Sequence, residues 1–177
     1  MKKFLPLIAL IALIIAMTIA TYKLNKNTQN SEEISYFQRT NIKLDDFEVS
    51  DLFNEGEKLT KEDLKGRYNL ISFFASWCTT CKAQHSVLMK IQQEKIIPIY
   101  GIAWRDIKEN TKNYLENSGN PFVKCAIDSK GLFSEIGNVN AVPETWIVDK
   151  NARVIAKYRG NLQEFNIAEI KEIIKEK

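Results

Sequence analysis

The sequence predicts an α/β fold, a mixed central sheet flanked by helices, and three of its features lead to that class. Two nearly unbroken apolar runs, residues 68–75 and 96–104, have the length and composition of strands covered on both faces. Segments with apolar residues at helical spacing follow them, the alternation that builds parallel strands. Residues 145–148 and 153–158 flank Asp149-Lys150-Asn151-Ala152 and read as a closing hairpin.

The N-terminus differs in kind from the rest. Lys2 and Lys3 precede residues 4–20, a run without charge, with Pro6 near its start and Thr18 near its end. At about 1.5 Å per residue this run gives roughly 25 Å of helix, close to the about 30 Å of a bilayer's hydrocarbon core. Residues 1–22 are therefore expected to form a transmembrane signal-anchor, with Tyr22 at an interface position. A cleaved signal peptide is the alternative. Against it, the run exceeds the usual apolar core of about 7–15 residues, and Thr18-Ile19-Ala20 is a weak small-x-small cleavage site. Lys23 and Lys26 offset Lys2 and Lys3, so charge alone does not decide orientation. Residues 23–36 are polar and read as a linker. Residues 37–177 remain as one domain, large enough to bury a core without disulfide help.

Within that domain, residues 47–53 and the region of Leu59 flank Asn54-Glu55-Gly56-Glu57 and predict a β-hairpin extension ahead of the main sheet. Thr60-Lys61-Glu62-Asp63-Leu64 resembles a short capped helical turn. Residues 79–93 carry Ala83, Val87, Leu88 and Ile91 at helical spacing. Asp106 is placed to cap a helix reaching Asn117, which Gly119-Asn120-Pro121 ends. Residues 122–127 are a short strand candidate and residues 131–136 a short helix. The last helix, residues 166–176, puts Ile167, Ile170, Ile173 and Ile174 on one stripe.

The formal net charge is only +3, and no segment clusters Lys or Arg with interleaved aromatics, which argues against nucleic-acid binding. Cys78, Cys81 and Cys125 are too few for a disulfide scaffold. Trp77-Cys78-Thr79-Thr80-Cys81 is the sharpest signal. Two intervening residues let the sulfurs meet across one helical turn, and the pair falls where a buried strand passes into an amphipathic helix. There the first sulfur faces unpaired N–H groups and the positive end of the helix dipole, worth about 0.3–2 kcal/mol to a negative charge. Cys78 is thus the expected nucleophile and Cys81 the resolving thiol. One rival reading is half of a zinc or copper site, for which the chain adds only Cys125 and His85. Another is an inert disulfide, although so short a loop stabilises little. Cys125, in a strand candidate, reads as a buried inert thiol. His85 lies about two turns beyond Cys78, so packing or surface placement is expected of it rather than a Cys–His nucleophile pair.

Residues 74–85, with Ser76-Trp77-Cys78-Thr79-Thr80-Cys81-Lys82 at their centre, resemble the active-site segment of thioredoxin-like proteins. Gly101-Ile102-Ala103-Trp104-Arg105-Asp106, Gly119-Asn120-Pro121-Phe122 and Ala141-Val142-Pro143-Glu144-Thr145 narrow the resemblance to the DsbE/CcmG type, the cytochrome c maturation thioredoxins. The similarity runs from about Phe47 to the C-terminus. It implies a thioredoxin-like fold and a cis peptide before Pro143, where sequence alone would favour trans. Val142 would then offer its backbone to an extended substrate peptide, with Trp77 as a groove wall. It also implies that Glu144 and Asp106 lie near the pair, where a carboxylate could relay the proton of Cys81. For each carboxylate a bland reading stands beside this one, a solvated surface Glu and an N-cap Asp.

Three positions depart from the family. Gln84 stands where a Glu is common, Thr79 replaces the usual Pro between the cysteines, and Ser72 occupies the place of the buried Asp of ordinary thioredoxins. The resemblance implies a single-pass protein of the bacterial inner membrane with its domain in the periplasm. Its role would be to reduce disulfides of apocytochrome c or of maturation partners, with a membrane-embedded thiol reductant as electron donor. No cofactor or metal is needed, because two electrons travel as the dithiol. The alternatives are a general extracytoplasmic disulfide reductase or oxidase, and a metal-binding chaperone module.

Overall fold

The computed structural model describes residues 11–21 and 35–175. The chain divides into two compact units, Met1–Glu33 and Ile34–Lys177. In the first, residues 11–21 are helical (α1) with exposed side chains. The rest of the expected anchor and the linker up to residue 34 lie outside the described residues. Among those described, no helix is long and apolar enough to cross a membrane.

The second unit is built on a six-stranded mixed sheet. In chain order the elements are β1 (Tyr36–Lys43), β2 (Glu48–Ser50), β3 (Lys58–Thr60), a 3-10 turn (Lys61–Leu64), β4 (Asn69–Phe74), α2 (Thr79–Gln93), β5 (Ile99–Trp104), α3 (Lys108–Ser118), β6 (Lys124–Asp128), α4 (Leu132–Ile136), β7 (Glu144–Val148), β8 (Arg153–Arg159) and α5 (Glu164–Lys175). The sheet order is β1-β8-β7-β4-β5-β6, and β2 and β3 form a separate hairpin. β4, β5 and β6 run parallel, joined by α2 and α3 as crossovers, whereas β7 pairs antiparallel with β4. This is the mixed sheet that the sequence pattern predicts, in the thioredoxin-like arrangement that the family resemblance implies.

Strand alternation divides the core in two. Leu70 and Phe74 of β4 face a layer made by Val87, Leu88 and Ile91 of α2, Leu115 of α3 and Ile167, Ile170 and Ile173 of α5. Ile71 and Phe73 face the other way, onto Leu59, Leu64 and Phe133. All six residues of β4 are buried, which is why its sequence is an unbroken apolar run rather than an alternating one. Helices therefore cover both faces. The 3-10 turn is capped as expected: Asp63 Oδ2 accepts from the Thr60 backbone N–H at 2.8 Å and from its hydroxyl at 3.1 Å. At the end of α4, the Trp146 ring fills the space a Cβ on Gly137 would need, so only glycine fits there.

Two expectations need correction. β1 begins at Tyr36, the last residue assigned to the linker, and extends the sheet where no strand was expected. It is an edge strand pairing only with β8, and seven of its eight residues are exposed, so no apolar period marks it. In α2, Ala83 is exposed while Gln84 and His85 are buried, because the core face of the helix runs through Cys81, Gln84, Leu88 and Ile91.

Candidate active site

β4 ends at Phe74, and a tight turn, closed by Cys78 N–H to Ala75 O at 3.2 Å, delivers Cys78 to the N-cap of α2. Cys78 has extended backbone angles (φ −86°, ψ 115°), and its Sγ accepts the Cys81 backbone N–H at 3.1 Å. A sulfur thus stands where Ser, Thr or Asp oxygens usually satisfy the free donors of a first helical turn. Cys78 and Cys81 are joined as a disulfide with Cα atoms 5.3 Å apart. The Thr80 hydroxyl lies 3.3 Å from Cys78 Sγ and, with no proton on a disulfide sulfur, is the donor. Both cysteines are mostly buried, whereas Trp77 beside them is 57% exposed.

The turn is held from the end of β5. Asp106, buried, accepts the Ser76 backbone N–H at 2.6 Å, the Ser76 hydroxyl at 3.0 Å and the Ile107 N–H at 2.8 Å. Trp77 Nε1 donates to the Arg105 carbonyl at 3.4 Å, and its ring stands 6.3 Å from that of Trp104. Arg105 holds φ at 47°, a left-handed conformation that a side chain disfavours and that surrounding contacts must impose. Asp106 is not the N-cap residue of α3, and its carboxylate is taken up by Ser76 and Ile107; it positions the loop that carries the cysteines. Asp106→Ala should lower stability by about 1–3 kcal/mol, since the Ser76 N–H loses its acceptor, and should slow thiol exchange. Urea unfolding and insulin reduction measure the two effects. A stability within about 0.5 kcal/mol of the parent would remove this role.

The peptide bond between Val142 and Pro143 is cis, and the Val142 carbonyl oxygen lies 3.7 Å from Cys78 Sγ. Cys78, with Trp77 beside it in the chain, thus stands against the loop of Val142 and Pro143. Glu144 does not join them. It shares a strand face with Trp146 and Val148, while Thr145 and Ile147 take the face of the cysteines, so its carboxylate points to the opposite side of the sheet. There Glu144 accepts from Trp146 Nε1 at 2.6 Å and pairs with Lys157 Nζ at 3.8 Å and Arg159 Nε at 3.5 Å. Burial raises its carboxyl above the ordinary value, against the pull of the Trp146 hydrogen bond and the two cations.

Under the pair, on the cysteine side of the sheet, the polar group is Gln84, fully buried. Its amide nitrogen donates to Ser72 Oγ and Thr145 Oγ1, each at 3.4 Å, and its oxygen accepts the Leu162 N–H at 2.9 Å. In the sequence Gln84 and Ser72 stand out only as departures from the family; the position of Gln84 one turn after Cys81 is the signal that joins them. The two further donors considered for a metal are engaged elsewhere. His85 Nε2 is 3.1 Å from both the Ser118 and Gly119 carbonyls, tying α2 to the end of α3. Cys125 is buried in β6, where burial first, and then the charges of Asp51 and Asp106, push its thiol well above the ordinary value. Among the described residues, no three His, Cys, Asp or Glu side chains converge to hold a metal ion.

Beside the pair, an open groove of about 880 Å³ runs from Ser76 and Trp77 between α2 and α3, past Lys82, Met89 and Tyr114. A cysteine pair at the N-cap of α2, under a cis-proline loop, on a sheet of this order, defines a thioredoxin-fold protein with a dithiol–disulfide centre. The Redoxin family matches residues 39–174, and the chain belongs to that family, within the DsbE type of the thioredoxin superfamily.

The chain is 33% identical over 116 residues to the thiol:disulfide interchange protein DsbE-2 of Pasteurella multocida, a match covering 66% of this chain and 61% of that protein. With DsbE of Vibrio cholerae it shares 27% over 167 residues, covering 92% and 87%. The first relatives are thus spanned over about three fifths of their own length. A secreted thiol-disulfide isomerase of Corynebacterium glutamicum superposes with a TM-score of 0.68 at 17% identity, covering 81% of this chain and 93% of that one, which speaks for the fold alone.

Proposed function

We propose that this protein is a membrane-anchored thiol–disulfide oxidoreductase facing the periplasm that reduces disulfides during c-type cytochrome assembly. The observation that carries the reading is Cys78 Sγ at the N-cap of α2, accepting an N–H at 3.1 Å beside the cis-proline loop. Once the pair is reduced, the same donors favour the thiolate of Cys78. That thiolate attacks one sulfur of a substrate disulfide. The substrate S–S bond breaks, and the leaving sulfur takes the electron pair and a proton from solvent. Cys81, deprotonated, then attacks the Cys78 sulfur, frees the second substrate thiol and closes the Cys78–Cys81 bond.

The substrate is the disulfide of an apocytochrome Cys-x-x-Cys-His segment or of a maturation partner, and a membrane-embedded thiol donor restores the dithiol. The uncharged run of residues 4–20 supports the anchor. The names of the relatives, thiol:disulfide interchange proteins, support the chemistry. In a Cys78→Ala strain c-type cytochromes should be missing from a haem-stained gel. Normal cytochrome levels would refute the pathway, and a reduction potential near the about −120 mV of strong oxidants would refute the reducing direction.

A further inference from the structure

We infer that Thr80 is a third catalytic group, whose hydroxyl donates to the Cys78 thiolate and sets how much of it exists at neutral pH. The inference rests on the proposed exchange reaction and adds a residue to it. Cys78 Sγ has three polar neighbours: the Cys81 N–H at 3.1 Å, the Thr80 hydroxyl at 3.3 Å and the Val142 carbonyl oxygen at 3.7 Å. The carbonyl can only accept, so it favours the protonated thiol. The amide can only donate, and it comes with any residue at position 81 other than proline. Thr80 supplies the donor that depends on side-chain identity.

A hydroxyl can also turn round and accept from a thiol. Its preference for the anion comes from the stronger, charge-assisted bond that the thiolate offers. The charged groups around the pair leave this place open. On α2, Lys82 is exposed. At the end of β5, Arg105 reaches Glu135 at 3.6 Å, while Asp106 holds Ser76 and Ile107. After Pro143, Glu144 faces the other side of the sheet and pairs with Lys157 and Arg159.

In the exchange step the Thr80 hydroxyl releases no proton. It holds the attacking sulfur as an anion until the new S–S bond forms, and the substrate's leaving sulfur carries away the electron pair. The loss of one hydrogen bond to a charged group corresponds to about a tenfold fall in thiolate below the titration midpoint.

The test uses the full chain with Cys81 replaced by Ala, so that Cys78 is the accessible thiol and Cys125 stays buried. Iodoacetamide alkylation is followed from acid to alkaline pH alongside thiolate absorbance near 240 nm. Adding Thr80→Val should move the midpoint upward and slow alkylation several-fold at a pH below it, with the alkaline plateau equal or somewhat higher because a more basic thiolate is also more nucleophilic. Thr80→Ser, which keeps the hydroxyl, should restore the parent curve. A Thr80→Val profile that overlays the parent would overturn the role, as would a plateau lowered along with the rest. If the valine variant does not fold, Thr80→Ala serves under the same two outcomes. Failure of the exchange reading would appear separately, as absence of peptide-disulfide reduction by the parent protein, because alkylation reports on Cys78 alone.

Discussion

Replacing Cys81 with serine should convert the protein into a trap that accumulates mixed disulfides through Cys78, whereas Cys78→Ser should form none. The asymmetry follows from where the two sulfurs sit. Cys78 occupies the N-cap, where a backbone N–H and a hydroxyl aim at its sulfur, beside the exposed Trp77 ring. Cys81 is the third residue of α2, within the first helical turn, and both cysteines are mostly buried. The two differ in what surrounds the sulfur rather than in exposure: the donors and the cis-proline carbonyl converge on Cys78 Sγ.

Resolution, in turn, is intramolecular, between residues whose Cα atoms are 5.3 Å apart. Well-oriented intramolecular reactions reach effective molarities of about 10⁵–10⁸ M, so losing the partner should lengthen the life of the mixed disulfide by many orders of magnitude at millimolar external thiol. Non-reducing gels and mass spectrometry of adducts released by dithiothreitol would record this. Equal trapping by both serine variants would reverse the assignment of nucleophile and resolver.

The parts of the site legible in the sequence are those set by local chain chemistry. A buried strand running into an amphipathic helix fixes a junction, and a Cys at that junction becomes an N-cap whatever the distant packing does. Pro143 was legible only through resemblance, since nothing in its neighbours alone requires the cis bond found there. What stayed hidden depends on which way side chains turn once the sheet has formed. Glu144 follows the cis-proline in sequence, so proximity suggests the cysteines. Yet the period-2 alternation of β7 carries it to the face of Trp146. Gln84 reads as a lost proton acceptor until the helix is docked, when it becomes the one group joining Ser72, Thr145 and the chain before α5. β1 had no signal to read, because an exposed edge strand needs no apolar face.

The displaced Glu144 has a consequence for stability that Lys157→Met should expose, at about 3–5 kcal/mol near neutral pH. Lys157 is 3% exposed. Its ammonium donates to the Gly137 carbonyl at 2.7 Å, lies 4.3 Å from the centre of the Trp146 ring and stands 3.8 Å from Glu144. Burial lowers the pKa of Lys157 and raises that of Glu144, so each charge is unfavourable alone and each favours the other. Methionine keeps the length of the stem but leaves the carboxylate with Trp146 and the half-exposed Arg159.

The direction with pH follows. Because the folded-state pKa of Glu144 lies above its unfolded value of about 4.5, its contribution is fully present below that value and is lost as pH rises through the folded pKa. Removing Lys157 raises the folded pKa further and enlarges the loss. The variant should therefore fall furthest behind the parent near pH 7 and recover toward pH 4.5. Adding Glu144→Gln should restore much of the difference at neutral pH, since a buried neutral pair needs no counter-charge. Urea unfolding across this range measures it, and a deficit that is small and independent of pH would show that the pair is not coupled. Lys157 also anchors the end of α4, and Gly160 N–H holds the Pro143 carbonyl at 2.9 Å, so both ends of the loop bearing Val142 are tied to β8 or its end. The double variant separates these roles. If its stability returns while peptide-disulfide reduction stays slow, the charge cluster on the far face serves the redox site by fixing the Val142 carbonyl.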